Sequence, residues 1–138
     1  MLILDTNVYI DVLADSGLAN RLADAVEASG EIIGLSSVVV AELLIGARAH
    51  ERARLTAFVT DGVAPSDYCT PTHEDWMAAG AALQRLGGEE ATRGRSFWND
   101  LLIAASCARV SATLLTRNVE DFRPILRIIP VAVDARPA

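Results

Sequence analysis

Four acidic side chains stand where an alternating α/β fold could bring them together: Asp5, Glu42, Asp100 and Asp121. Hard divalent cations such as Mg²⁺ and Mn²⁺ prefer carboxylate and water oxygens, and they usually bind through a few carboxylates. Without a cation, clustered carboxylates repel one another and their pKa values rise. A bound metal ion removes this repulsion, activates a water molecule and stabilises the charge that develops in phosphodiester cleavage. The chemistry that this set would support is metal-assisted hydrolysis.

Two of these residues, Asp5 and Glu42, also have an interpretation without chemistry. The residues around Asp5 are of the types that begin a helix, so Asp5 or Asn7 could simply cap one. Glu42 could lie on the one solvated stripe of an otherwise apolar helix. The last position offers two oxygen donors, Asn118 and Asp121, and both stay open.

Short apolar runs and longer amphipathic segments alternate along the chain. They predict strands over residues 2–4, 31–35, 63–65, 68–70 and 112–116 with a last strand between 125 and 133, and helices over 7–15, 18–28, 38–49, 50–61, 73–86 and 97–109. Thr72 and Ser96 are predicted N-caps, and residues 117–122 a polar turn. This alternation indicates parallel strands with helical crossovers, which place Asp5 and Thr116 at the same edge of the sheet. Ligands bind at that edge in open α/β sheets.

Composition excludes several other classes of function. A chain of 138 residues is long enough for one domain with its own core. All twelve basic residues are arginine, which excludes Walker-A phosphate binding and Schiff-base chemistry on a side chain because both need lysine. The net charge of -6 argues against a general basic surface for nucleic acid. It is compatible with a nuclease that has an acidic, metal-binding pocket.

Two further features bear on location and on substrate contact. Cys69 and Cys107 match no metal-binding spacing and are expected as reduced, partly buried thiols. The apolar runs are too short to cross a bilayer and no basic region precedes the first one, so we expect a soluble, cytoplasmic protein. Residues 87–95 are expected to form a loop in which Arg93 and Arg95 could contact substrate phosphates, or which only connects two helices.

The sequence resembles the PIN-domain ribonucleases and, within them, the VapC-type toxins of bacterial toxin–antitoxin modules. The matching segments follow the family order and cover nearly the whole chain. They are residues 4–7 with Asp11 nearby, residues 36–43 with Glu42, residues 99–105 with Asp100, and residues 115–122 with Thr116 and Asp121.

This resemblance implies a single domain over residues 1–138. Its fold would be a PIN-like three-layer α/β/α sandwich with a small, mainly parallel central sheet. It implies a metal-dependent endoribonuclease, the toxin of a toxin–antitoxin pair, that hydrolyses RNA phosphodiester bonds with a metal-activated water. The implied partners are Mg²⁺ or Mn²⁺, an RNA substrate, a cognate antitoxin with a basic tail and a second copy of the chain in a homodimer.

Carried over residue by residue, the resemblance assigns roles to seven side chains: Asp5, Glu42, Asp100 and Asp121 as metal ligands, and Thr6, Thr116 and Asn118 as further catalytic-site residues. The threonine hydroxyls would position an acidic group or a water on the metal. Many family members have Asp at the position of Asn118, so Asp121 is expected to supply the fourth charge.

Two rival functions remain. Receiver and haloacid-dehalogenase domains also place an Asp after the first strand, but they need a partner lysine that this chain lacks. The other rival is a catalytically weakened PIN-like binding scaffold, which Asn118 favours because an amide oxygen brings no charge.

Overall fold

Five short parallel strands form the centre of the molecule. The computed structural model describes residues 1–87 and 94–135, apart from the side chain of Arg95. Within this part of the chain the sheet has the order β3-β2-β1-β4-β5. The strands are β1 (Leu2–Leu4), β2 (Ile33–Ser36), β3 (Tyr68–Cys69), β4 (Thr113–Leu115) and β5 (Ala132–Asp134).

Helices connect the strands and cover both faces of the sheet. They are α1 (Thr6–Ala14), α2 (Ser16–Ser29), α3 (Ser37–Gly46), α4 (Ala49–Gly62), α5 (His73–Leu86), α6 (Arg95–Arg109) and α7 (Val119–Leu126), with a short 3₁₀ turn at Pro65–Asp67. Leu2, Ile3 and Leu4 are all buried, which a strand shows when both faces are covered. The predicted three-layer α/β/α arrangement is confirmed. Among the described helices, none has the length and apolar character needed to cross a bilayer.

The carboxyl ends of β1 and β4 lie side by side in the middle of the sheet. Leu4 pairs with Leu115, and the backbone N–H of Asp5 donates to the Leu115 carbonyl at 2.9 Å. The chain runs from β1 outward to β2 on one side, whereas β4 lies on the other side. Open α/β sheets bind ligands where the strand order reverses in this way. Asp5 and Thr116 are the first residues beyond the two strands at this point.

One predicted element near the end of the chain is wrong. Residues 117–122 are predicted as a polar turn, but α7 occupies Val119–Leu126. The last strand, predicted between residues 125 and 133, covers Ala132–Asp134. Phe122 and Ile125 are both buried and lie three residues apart, which is a helical spacing. The polar residues around them make this spacing hard to recognise in the sequence.

Two smaller expectations are also wrong. The helix α6 begins at Arg95 with Gly94 at its N-cap, so Ser96 lies inside the first turn and does not cap it. Residues 63–65 do not form a strand, and β3 is limited to Tyr68–Cys69. The Thr72 cap of α5 is confirmed. The expected loop at residues 87–95 lies largely outside the described residues, and this includes Arg93.

The two cysteines are free and buried, as predicted. The Cys107 thiol donates a hydrogen bond to the Cys69 sulfur, which lowers the pKa of Cys69 and raises that of Cys107. Burial opposes ionisation of both thiols. The pair therefore belongs to the packing between β3 and α6.

A buried carboxylate joins the start of α5 to the end of α6. Asp75 Oδ2 accepts the Thr72 backbone N–H at 2.9 Å and the Arg109 Nε–H at 2.9 Å. The same arginine donates from Nη2 to the Thr70 carbonyl at 3.2 Å. The Asp75 side chain is 4% exposed and that of Arg109 is 37% exposed. This ion pair thus fixes α5 against the helix that carries Asp100.

Replacing Asp75 tests this role. Asp75→Ala removes the capping acceptor and leaves Arg109 without its partner, so we expect the free energy of unfolding to fall by about 2–3 kcal/mol in urea denaturation. We expect no larger loss of stability, because the Arg109 guanidinium stays partly hydrated when its partner is removed. Glu74→Ala, at an exposed position in the same helical turn, is the control and should change stability by less than about 0.5 kcal/mol. Equal losses in both variants would contradict the assignment.

Candidate active site

The Asp5 side chain is buried at the end of β1 and is held through both of its oxygens. Oδ1 accepts the Thr6 backbone N–H at 2.8 Å, and Oδ2 accepts the Thr116 hydroxyl at 2.7 Å. Asp5 is the N-cap of α1. Of the two capping candidates, Asp5 and Asn7, Asp5 is therefore the N-cap, and it combines this position with a place at the centre of the candidate site.

Burial raises the pKa of the Asp5 carboxyl above its ordinary value. The hydrogen bonds from Thr116 and from the Thr6 backbone lower this pKa, but not enough to cancel the effect of burial. The nearby charge of Asp121 raises it further. Ionised Asp5 therefore lies in surroundings that a neighbouring cation would stabilise.

Thr6 joins Asp5 to Glu42. Its backbone N–H donates to Asp5 as described, and its hydroxyl donates to Glu42 Oε1 at 2.8 Å. Glu42 is half-buried on α3, so it does not lie on a purely solvated stripe. The carboxylate on the helix after β2 is in this way brought to the end of β1.

Thr116 performs the corresponding task at the end of β4. Its side chain is fully buried, and its oxygen accepts the Asn118 backbone N–H at 3.1 Å while donating to Asp5. Asn118 is the exposed N-cap of α7, and its side chain makes no capping hydrogen bond. Asp121 lies in the first turn of α7 and acts on Asp5 through its charge. Of the two candidates for the fourth position, Asp121 has this electrostatic contact with Asp5.

Asp100 is half-buried in the second turn of α6. This helix packs against α3, which carries Glu42, and against α7, which carries Asp121. Within residues 1–87 and 94–135, no three His, Cys, Asp or Glu side chains lie close enough to enclose a metal ion. The threonine hydroxyls hold Asp5 and Glu42, and the donor set consists of the hard oxygens that Mg²⁺ and Mn²⁺ prefer. The residues thus suit such an ion by their chemistry and by the uncompensated charge around Asp5.

Sequence reasoning missed one ion pair at the border of this site. Asp11 Oδ2 lies 3.3 Å from Arg117 Nε. Asn7 also contacts Arg117, because Asn7 Oδ1 accepts the Arg117 backbone N–H at 3.3 Å. The signal in the sequence is positional: Asn7 and Asp11 are one helical turn apart, and Arg117 follows Thr116.

An apolar groove lies between α1, α3 and α4, and Glu42 is one of its lining residues. Its volume is about 550 Å³, and its lining residues are Ile10, Leu13, Ala14, Glu42, Leu43, Gly46, Ala47, Glu51, Arg54, Leu55 and Phe58. Ile10, Leu13 and Phe58 are exposed there, so the groove presents large apolar side chains to solvent. Exposed apolar surface of this kind marks interaction sites.

The raised pKa of Asp5 predicts a stability change for Asp5→Asn. The stability that comes from protonated Asp5 is present below the unfolded pKa and is lost as the pH rises through the higher folded pKa. In EDTA at pH 7, ionised Asp5 therefore destabilises the fold, and Asp5→Asn should raise the Tm because Asn remains a good N-cap. The gain should shrink as the pH falls towards about 4.

The control for this prediction is Asp15→Asn. Asp15 caps α2 with an exposed carboxylate that accepts from Gly17 and Leu18, and it lacks the burial that raises the pKa of Asp5. Its replacement should not raise the Tm. A lower Tm for Asp5→Asn than for the unmodified protein, measured by circular dichroism at pH 7, would contradict the prediction.

Known proteins share both the sequence pattern and the fold. Residues 2–125 match the PIN domain family. Ribonuclease VapC19 of Mycobacterium tuberculosis is 35% identical over 127 residues, which cover 88% of this chain and 92% of that protein. The DNA-bound VapBC structure from Salmonella typhimurium has a TM-score of 0.69 at 19% identity, and VapBC-1 from nontypeable Haemophilus influenzae has 0.66 at 22%, each covering 96% of both chains. The predicted resemblance is confirmed, and this chain belongs to the PIN-domain family.

Proposed function

We propose that the protein is a metal-dependent endoribonuclease that acts as the toxin of a bacterial toxin–antitoxin pair. The observation that carries the proposal is the buried Asp5 carboxylate, held by Thr116 and linked through Thr6 to Glu42 where the strand order reverses. Support comes from the 35% identity to a protein named a ribonuclease, and from the VapBC structures that share the fold. The proposed substrate is therefore RNA, in which the enzyme would hydrolyse phosphodiester bonds.

The metal that suits this site is Mg²⁺ or Mn²⁺. We propose Asp5, Glu42, Asp100 and Asp121 as its ligands, with Asp121 supplying the charge that Asn118 cannot. When bound, such an ion activates water and neutralises the charge that develops on the phosphate. The proposal fits the raised pKa of Asp5, because a cation removes the repulsion between this carboxylate and Asp121.

The remaining residues orient these carboxylates. The Thr116 hydroxyl fixes one oxygen of Asp5 and is itself oriented by the Asn118 backbone N–H. Thr6 keeps Asp5 and Glu42 at a constant separation, since it donates to both. Groups held in this way lose little freedom when substrate binds, which favours the in-line geometry of hydrolysis.

The groove between α1, α3 and α4 is the proposed docking site of the antitoxin. The proposed occupant is a segment of the antitoxin whose apolar side chains contact Leu13 and Phe58 and whose basic side chain pairs with Glu42. The apolar lining and the continuity of the groove with an acidic site support this choice. A basic side chain beside Glu42 would take the place of the proposed metal ion, so we expect the bound partner to block cleavage.

Cleavage assays test the catalytic proposal. The purified protein should degrade RNA in Mg²⁺ or Mn²⁺ and stop when EDTA is added. Asp5→Asn and Asp100→Asn should each lower the rate at least about 100-fold while far-UV circular dichroism stays unchanged. Asp15→Asn is the control and should keep full activity. Unchanged cleavage in EDTA would contradict the metal-dependent mechanism. A protein that does not cleave RNA under any of these conditions would favour the alternative function, a catalytically weakened PIN-like binding scaffold.

The fourth ligand is tested in the same assay. Asp121→Asn should reduce cleavage more than about 10-fold, because it removes a charge beside Asp5. Asn118→Ala should have a smaller effect, since the contact that Asn118 makes with Thr116 comes from its backbone. The opposite order of effects would show that Asn118 holds the fourth position.

Docking of the antitoxin is tested by co-purification with the product of an adjacent small open reading frame. Leu13→Glu places a charge in the groove and should weaken the complex at least about 10-fold without changing RNA cleavage. Met77→Glu on α5 is a matched control, since Met77 is 63% exposed and Leu13 59%. Equal weakening by both variants would contradict the groove assignment. Light scattering of the same samples also reports whether the chain forms the expected homodimer.

A further inference from the structure

We propose that Arg117 contacts a phosphate of the RNA strand next to the one that is cleaved, and that Asp11 positions its guanidinium for this contact. The inference rests on the proposed ribonuclease function and adds a substrate-contacting residue outside the carboxylate set. It is carried by the backbone and side-chain contacts of Arg117, by its exposure and by the negative charge around it.

The backbone of Arg117 is tied to the candidate site. Arg117 directly follows Thr116, whose hydroxyl donates to Asp5. The Arg117 N–H donates to Asn7 Oδ1 at 3.3 Å, and Asn7 Nδ2 donates to Asp5 Oδ2 at 3.4 Å. Only one side chain therefore separates the Arg117 backbone from the Asp5 carboxylate.

The guanidinium of Arg117 is held on the first helix. Its Nε lies 3.3 Å from Asp11 Oδ2, one turn of α1 beyond Asn7. The Arg117 side chain is 60% exposed. Within the described residues, neither of its terminal nitrogens donates a hydrogen bond. Arginine binds phosphate through paired N–H groups, and an ion pair at Nε leaves the N–H groups of both terminal nitrogens for that purpose.

The charge of the surroundings explains why a cation is needed here. The chain carries a net charge of -6, and Asp5, Glu42 and Asp121 lie around the same strand ends. An RNA strand crossing this region brings further negative charge on each side of the cleaved phosphate. A purely structural role explains the Asp11–Arg117 pair poorly, since exposed ion pairs contribute little to stability.

The chain offers a matched control arginine. Arg123 on α7 is 63% exposed and its Nη2 lies 2.6 Å from Glu120 Oε1, so it has the same charge and a similar partner. It follows Asp121 by two residues, which places it about 200° round the helix from that carboxylate. Replacing Arg123 therefore measures the effect of losing one exposed positive charge that takes no part in the proposed phosphate contact.

Binding of RNA tests the phosphate contact. Arg117→Gln and Arg123→Gln are compared in the cleavage-deficient Asp5→Asn protein, with a fluorescein-labelled single-stranded RNA of mixed sequence at several NaCl concentrations. Arg117→Gln should weaken binding about 10-fold or more and reduce the slope of log K against log salt by about 0.7. Arg123→Gln should stay within about 2-fold. An unchanged affinity for Arg117→Gln, an equal loss for Arg123→Gln or no RNA binding at all would overturn the proposal.

Cleavage kinetics test the positioning by Asp11. Asp11→Asn keeps the arginine charge but releases its guanidinium, so kcat/KM should fall about 3- to 10-fold. In an Arg117→Gln background the same change should have no further effect on kcat/KM. Additive losses in the double variant would overturn the positioning role. Failure of the unmodified protein to cleave RNA would instead defeat the proposed function, while the binding comparison would still decide the role of Arg117.

Discussion

The hydrogen bond from the Thr116 hydroxyl to the buried Asp5 carboxylate is the contact on which the rest of the site depends. It joins residues 111 positions apart, and it exists because Leu4 lies opposite Leu115 in neighbouring parallel strands. Successive residues of a strand point to opposite faces, so a shift of the β1–β4 register by one residue would turn one of these side chains away. The apolar residues of the two strands fix that register, and they thereby hold a polar contact beyond the strand ends.

The price of this arrangement is a carboxylate in surroundings that disfavour its charge. Burial raises the pKa of Asp5, Asp121 raises it further, and the hydrogen bonds from Thr116 and Thr6 compensate only in part. Residues that serve a site commonly lower the stability of the fold that holds them. Here the conflict concerns charge, and the proposed metal ion would remove it. The same negative surroundings give a reason for an arginine at the border of the site, where the proposed RNA substrate would add more charge.

Much of the fold and part of the site could be predicted because they depend on local patterns. Alternating apolar runs predicted parallel strands with helical crossovers, and the abrupt ends of two runs located Asp5 and Thr116. The polar residues around Phe122 and Ile125 favour a turn in the sequence, so the helix α7 was not predicted. The pairing of Asp11 with Arg117 was also missed because it depends on strand register and on how α1 leaves the sheet. Residue types alone do not show that Asp5 accepts a capping hydrogen bond through one carboxylate oxygen and the Thr116 hydroxyl through the other.

We propose that Asp5 lies at the centre of a divalent-metal site built by the ends of β1 and β4. This site can be tested with an anomalous difference map from crystals of the unmodified protein grown with Mn²⁺. We expect a peak within coordination distance of an Asp5 carboxylate oxygen, with Thr116 still bonded to that side chain and a further acidic side chain among the ligands. A Mn²⁺ peak bound elsewhere on the chain, with the surroundings of Asp5 free of metal, would contradict it.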